Sequence, residues 1–206
     1  MSQATAETSR TRILAATCEV IGAQGIASFA VKDVARAAGV TTQLLYYHFP
    51  NREALVAAAL EYANERAPSV NLLQGEPDGT GYDALRAALL AEFDDAPAVR
   101  SLNLLWNEVA ASSAQQSELH PALERVTTGW DQKIAVGVLR GMVDGSLRTD
   151  LEPHLVARTL TCAVEGLSQR WLAGMMTTEQ ARAALDLLLS SLRGQDDGRA
   201  LGRMAP

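Results

Sequence analysis

The chain has 206 residues, enough for one domain or two small ones with a real core, and carries a formal net charge of −6. That charge excludes a generic polyanion binder, and no apolar run reaches the roughly 20 residues of a membrane span. The N-terminal stretch MSQATAETSRTR lacks the apolar core of a signal peptide, so a cytoplasmic protein without membrane contact is expected.

Charge is unevenly spread. Residues 1–55 hold five bases and four acids, against 13 bases and 20 acids in the remainder. Only the N-terminal quarter is suited to approach an anion. Cys18 and Cys162 lie far apart in apolar helical patterns and read as small buried hydrophobes.

No stretch alternates with period two, and the pattern is helical throughout. Ile13, Leu14, Thr17, Val20 and Ile21 form a stripe that predicts a helix over 9–24, ended by Gly25. Short helices follow at 31–38 and 42–48, separated by a glycine turn at 39–40. Asn51 is placed to cap a fourth helix to about 66. The segment 67–81, APSVNLLQGEPDGTG, reads as a loop. Helices are then predicted over 82–94, 97–113, 121–144 with Pro121 at its start, 153–173 opened by Pro153, and 178–193 with Thr177 and Gln180 at capping-box spacing. The tail from 194 to 206 is polar and expected to be disordered.

The 31–48 unit has the logic of a helix-turn-helix. Gly39 permits positive φ at the turn, and Val34, Ala38, Val40 and Leu45 supply an apolar seam. Three of the chain's 10 aromatics (Trp 3, Tyr 4, Phe 3) fall within residues 46–49. Thr41, Thr42, Gln43, Tyr46 or Tyr47, and His48 face outward. Glutamine can read adenine, threonine can touch a base or a thymine methyl, and tyrosine hydroxyls reach phosphates. Spacing alone also suits an ordinary pair of short helices in an all-helical protein.

A resemblance favours the first reading. Residues 10–60, containing "VARAAGV", "LYYHF" and "NREAL", resemble the DNA-binding domain of the tetracycline-repressor (TetR) family. The resemblance implies DNA contacts from Lys32, Thr41, Thr42, Gln43, Tyr46, Tyr47 and His48. It also implies a phosphate contact from Arg52, which stands where the family usually has lysine. Phe29 and Ala30 replace the usual capping threonine or serine of the second helix, and Phe29 is expected to pack. Leu44 stands where many members carry threonine.

The resemblance further implies that the later helices bind an effector and dimerise. Asn103 and Asn107 share a helix face beside Trp106, which suits an apolar pocket with a few orienting groups. Phe93, Trp130, Met142 and Trp171, with Met175 and Met176, are further candidates for its lining. Ala163 and Gly166 permit close helix approach, and Leu185, Leu188, Leu189 and Leu192 form a stripe. The two last helices are therefore expected to build a homodimer interface as a four-helix bundle.

The expected architecture is all-α. It comprises a three-helix helix-turn-helix domain over 1–52, a six-helix effector-binding and dimerisation domain over 53–193, and the tail. His48, His120 and His154 are scattered, and HExxH, GxSxG and cysteine–histidine metal spacings are absent from the sequence, so neither an enzyme nor a cofactor is expected. The expected function is a ligand-responsive regulator, a repressor that binds a palindromic operator as a dimer and is released by a small, largely apolar effector. Alternatives are an activator built from the same parts and a helical ligand carrier without operator binding.

Overall fold

Nine α-helices are present among the described residues of the computed structural model, which are 8–67, 69, 70, 73 and 79–194. They are α1 (Ser9–Gln24), α2 (Val31–Ala37), α3 (Thr42–His48), α4 (Arg52–Glu65), α5 (Gly81–Leu90), α6 (Pro97–Ser113), α7 (His120–Val143), α8 (Pro153–Leu172) and α9 (Thr178–Ser190). A 3₁₀ turn, Ser117–Leu119, precedes α7. The isolated bridge between Leu147 and Arg193 is the β-type pairing seen among these residues.

The boundaries follow from capping chemistry. Thr8, Thr41 and Asn51 side chains accept backbone N–H groups at the starts of α1, α3 and α4. Thr177 and Gln180 form a complete capping box on α9, as their spacing predicts. Proline opens α6, α7 and α8. Gly39 adopts φ 63° in the turn between α2 and α3, a conformation costly for residues with a Cβ. The loop expected over 67–81 lies largely outside the described residues; Ser69, Val70 and Leu73 are helical and buried. Except for Gly194, the expected disordered tail also lies outside them.

Two buried clusters organise the fold. The first joins α1–α4 to one face of α6 through Leu105 and Val109, and to Leu119 and Val126. The second lies among α5, α7, α8 and α9 and includes Leu85, Phe93, Trp130, Leu160, Trp171, Leu185 and Leu189. α5 crosses α7 so closely that a Cβ on Gly81 would stand 2.3 Å from the backbone nitrogen of Gly141. An Arg86–Asp186 pair, 2.5 and 2.9 Å, ties α5 to α9. Leu102, on α6, touches both clusters.

Cys18 fits its expected role, since it packs on the first cluster and burial pushes its thiol up to about 12. Cys162 does not, because it is exposed on α8. Helical spacing marks an apolar face but cannot say whether another element covers it.

Candidate functional site

The outward surface of α3 is built by its cap and its buried anchor. Leu45 is 1 % exposed and fixes the helix on the first cluster. Thr41 Oγ1 accepts the Leu44 N–H at 3.1 Å. Thr41, Thr42, Gln43, Leu44, Tyr46 and Tyr47 are then exposed together, Tyr47 at 83 %. Tyr47 stacks edge-on against His48, whose Nε2 lies 3.0 Å from Ser9 Oγ, so His48 is half-buried and tied to α1. Lys32 is exposed near the start of α2. Phe29 is buried, as expected from its place before α2.

Arg52 has partners within its own unit. Its guanidinium donates to the Ile26 carbonyl oxygen and lies over the Phe29 ring, 4.3 Å from the centroid. These contacts fasten α4 to the turn after α1. The turn at 26–29 brings these partners to it, and nothing in the local sequence around Arg52 announces them.

A second site lies at the seam of the two clusters. It is a cavity of about 60 Å³ open to the centres of water-sized molecules. Its lining comes from Leu60 and Asn64 of α4, Ala67, Glu92, Leu102, Asn103 and Trp106 of α6, Trp130 of α7, and Thr161, Val164, Glu165 and Ser168 of α8. That is room for a few waters at roughly 10–15 Å³ each.

Of the pocket residues expected from sequence, Asn103, Trp106 and Trp130 meet here. Asn107 is not a lining residue; its Nδ2 donates to Asn103 O at 2.8 Å and Ser168 Oγ at 3.0 Å. Phe93 and Trp171 stack against each other, centroids 5.7 Å apart, within the second cluster. The Trp171 indole is taken by Thr178 at 2.9 Å. Met142 packs on the same cluster, outside the cavity. These three large apolar side chains fill the core because α5, α8 and α9 close around them.

Glu92 and Glu165 were not among the expected pocket residues. Glu92 is half-buried and lines the cavity. Burial raises its pKa, and nearby Ser69 lowers it in part. Ser69 Oγ is itself buried. Glu165 is raised by burial first and by the Asp131 carboxylate second, and is lowered in part by a bond from the Trp106 side chain.

The expected interface residues divide. Leu185 and Leu189 are 0 % exposed and belong to the protomer's own second cluster, so they present nothing to a partner. Leu188 and Leu192 pack partly on that cluster. Gly166 is exposed, with nothing within 4 Å of the position a Cβ would take, and Ala163 is half-buried. The open apolar groups on these helices are Leu155 at 64 % and Leu187 at 75 %. Apolar residues encircle α9, and its inward stripe is the one the spacing picks out.

Comparison with known proteins agrees with this arrangement. Over 89 % of the chain, and 97 % of its counterpart, the fold superposes on a Rhodococcus sp. protein described as a TetR-family transcriptional regulator, with TM-score 0.83 and 38 % identity. The regulator BetI of Ectopseudomonas mendocina is 29 % identical, covering 89 % of this chain and 95 % of that one. TtgR of Pseudomonas putida is 23 % identical, covering 98 % and 94 %. Residues 13–59 match the family described as bacterial regulatory proteins, tetR family, and residues 81–194, more than half the chain, match the BetI-type transcriptional repressor C-terminal family. The chain belongs to the TetR family of transcriptional regulators.

Proposed function

We propose that this regulator is a repressor that binds a palindromic operator as a homodimer and is released when a small molecule enters the cavity. The observation that carries this reading is the position of the cavity. It lies where the core holding the recognition helix meets the core holding α8 and α9; α6 packs on both cores, and α4 packs on the first and lines the cavity. α4 begins at Arg52, fastened to the DNA-reading unit, and ends with Leu60 and Asn64 on the cavity wall. A guest in the cavity therefore bears directly on α4.

On this reading residues 1–52 read DNA, residues 53–193 bind the effector and dimerise, and α4 connects them. Thr41, Thr42, Gln43, Tyr46 and Tyr47 contact bases and backbone, with Lys32 on phosphate. Two recognition helices related by a twofold axis read half-sites one or more helical turns apart. Effector and operator then oppose each other reciprocally, because each favours a different arrangement of α4 and α6.

The cavity can be filled without knowing the effector. Ala67→Phe places a ring in it and is expected to weaken operator binding at least tenfold while the protein stays folded and dimeric. Unchanged operator affinity in a folded Ala67→Phe protein would remove the cavity from the switch.

A further inference from the structure

A hydrogen bond between α7 and α8 joins the cavity wall to a hollow on the outside of the bundle. Thr161 Oγ1, on α8, donates to Asp131 Oδ1, on α7, at 2.6 Å. Thr161 is buried and lines the cavity. Asp131 is half-buried and lines a groove of about 420 Å³, together with Leu123 and Thr127 of α7 and Arg158 of α8. Trp130, the residue before Asp131, is back on the cavity wall. The two hollows therefore meet at this pair.

The bond can open at little cost to either partner. Thr161 has one hydroxyl proton and a second acceptor already in place, Ala157 O at 3.1 Å, one helical turn back. Its hydroxyl stays bonded when Asp131 leaves. Asp131 leaves toward water and toward Arg158, which is exposed and lines the same groove. The move also takes it from Glu165 on the cavity wall, a carboxylate near enough for Asp131 to raise its pKa. Each position of Asp131 thus leaves no buried polar group without a partner, which keeps two states close in energy.

We propose that the α7–α8 groove is the way into the cavity and that Asp131 is its latch, bonded to Thr161 when closed and turned to Arg158 when open. The route is read from the two hollows and holds whatever the cavity binds; its part in induction rests on the cavity being the effector site. Opening precedes both entry and exit, so the latch sets the two rates together and leaves affinity nearly unchanged.

A thiol on the cavity wall measures entry in the full chain. Val164 lines the cavity, so a Cys18→Ala, Cys162→Ser, Val164→Cys protein carries its one thiol there. Its modification by methyl methanethiosulfonate at fixed pH is followed by mass spectrometry. Thr161→Val removes the bond at nearly constant shape and is expected to speed modification at least fivefold. Arg158→Gln removes the partner of the open state and should slow it threefold or more. General loosening of the fold speeds modification in every variant, so changes of opposite sign belong to the latch. Thr127→Trp, which fills the groove, should also slow it.

If Thr161→Val does not fold, Asp131→Ala breaks the same bond and takes its place. Modification unchanged or slower on loss of that bond overturns the latch, as does modification unchanged or faster in Arg158→Gln. A Thr127→Trp protein modified as fast as its parent overturns the route. These rates involve no DNA, so the latch can fail while Ala67→Phe still weakens operator binding, and can stand where that variant has no effect.

Discussion

Glu108 Oε2, on α6, accepts the backbone N–H of Ile26 at 3.0 Å. The bond fastens the turn after α1 to the helix that also carries Asn103 and Trp106 onto the cavity wall. Leu105 and Val109 of α6 sit in the first cluster beside it, and a Cβ on Gly22 would stand 3.4 Å from Ser101 Oγ. α6 is thus a second rigid connection between cavity and DNA-reading unit, parallel to α4. Glu108→Ala should lower stability by about 1.5–3 kcal/mol, as expected for a hydrogen bond to a charged group. It should also blunt the tenfold operator weakening caused by Ala67→Phe. Urea denaturation and fluorescence anisotropy on operator DNA check the two effects separately.

Arg52 and Lys32 should exchange the roles that family position implies for Arg52. Arg52→Ala breaks the bond to Ile26 and the stack on Phe29, so it should lower the midpoint of thermal unfolding and leave the salt dependence of DNA binding unchanged. Lys32→Ala, at an exposed position, should reduce the slope of log K against log salt by about one per subunit. A slope reduced by Arg52→Ala in a fully folded protein contradicts this assignment.

The dimer prediction separates neighbouring leucines. Leu187→Asp alters a side chain 75 % exposed and should yield folded monomers with weakened operator binding. Leu185→Asp places a charge at a position 0 % exposed and should unfold the protein instead. Light scattering and circular dichroism distinguish the two outcomes. A folded, dimeric Leu187→Asp protein would move the interface away from α9.

Glu92 gives the ligand-free protein a specific pH dependence. Burial raises its pKa in the folded state above the unfolded value, so the folded protein binds the proton more tightly. Its contribution is fully present below the ordinary glutamate range and is lost as pH rises through the folded value. Glu165 is shifted in the same direction. Glu92→Gln should therefore flatten the decline of stability with rising pH, measured by urea denaturation from pH 5 to 8. An unchanged slope would mean that Glu92 is ionised in the folded protein.

Much of this architecture is written locally. Thr41, Asn51, Pro97, Pro153 and the Thr177–Gln180 box mark helix starts by capping chemistry that acts within four residues. Gly25 and Gly39 mark the turns by their positive φ. The outward set on α3 is legible for the same reason, because Leu45 alone anchors a seven-residue helix. What is not legible depends on partners distant in sequence. Arg52 meets Ile26 across 26 residues. Asn103 and Asn107 share a helix face, as their spacing says, but their donors are spent on Glu92, Val99 and Ser168. Glu92 follows α5 and Asp94 and Asp95 follow it, so it reads as one of several surface acids. It becomes a cavity residue only when α4 and α6 close over it.

Base recognition by α3 is the claim on which the account depends, and selection of bound sequences from a random duplex library tests it most directly. Wild-type protein is expected to enrich an inverted repeat, and its affinity for that repeat should exceed its affinity for random DNA by 10³-fold or more. Gln43→Ala should cost roughly 1–3 kcal/mol on the repeat and nothing on random DNA, relaxing the preference at one position in each half-site. Selection that enriches no repeat, or a Gln43→Ala protein weakened equally on repeat and random DNA, would contradict it.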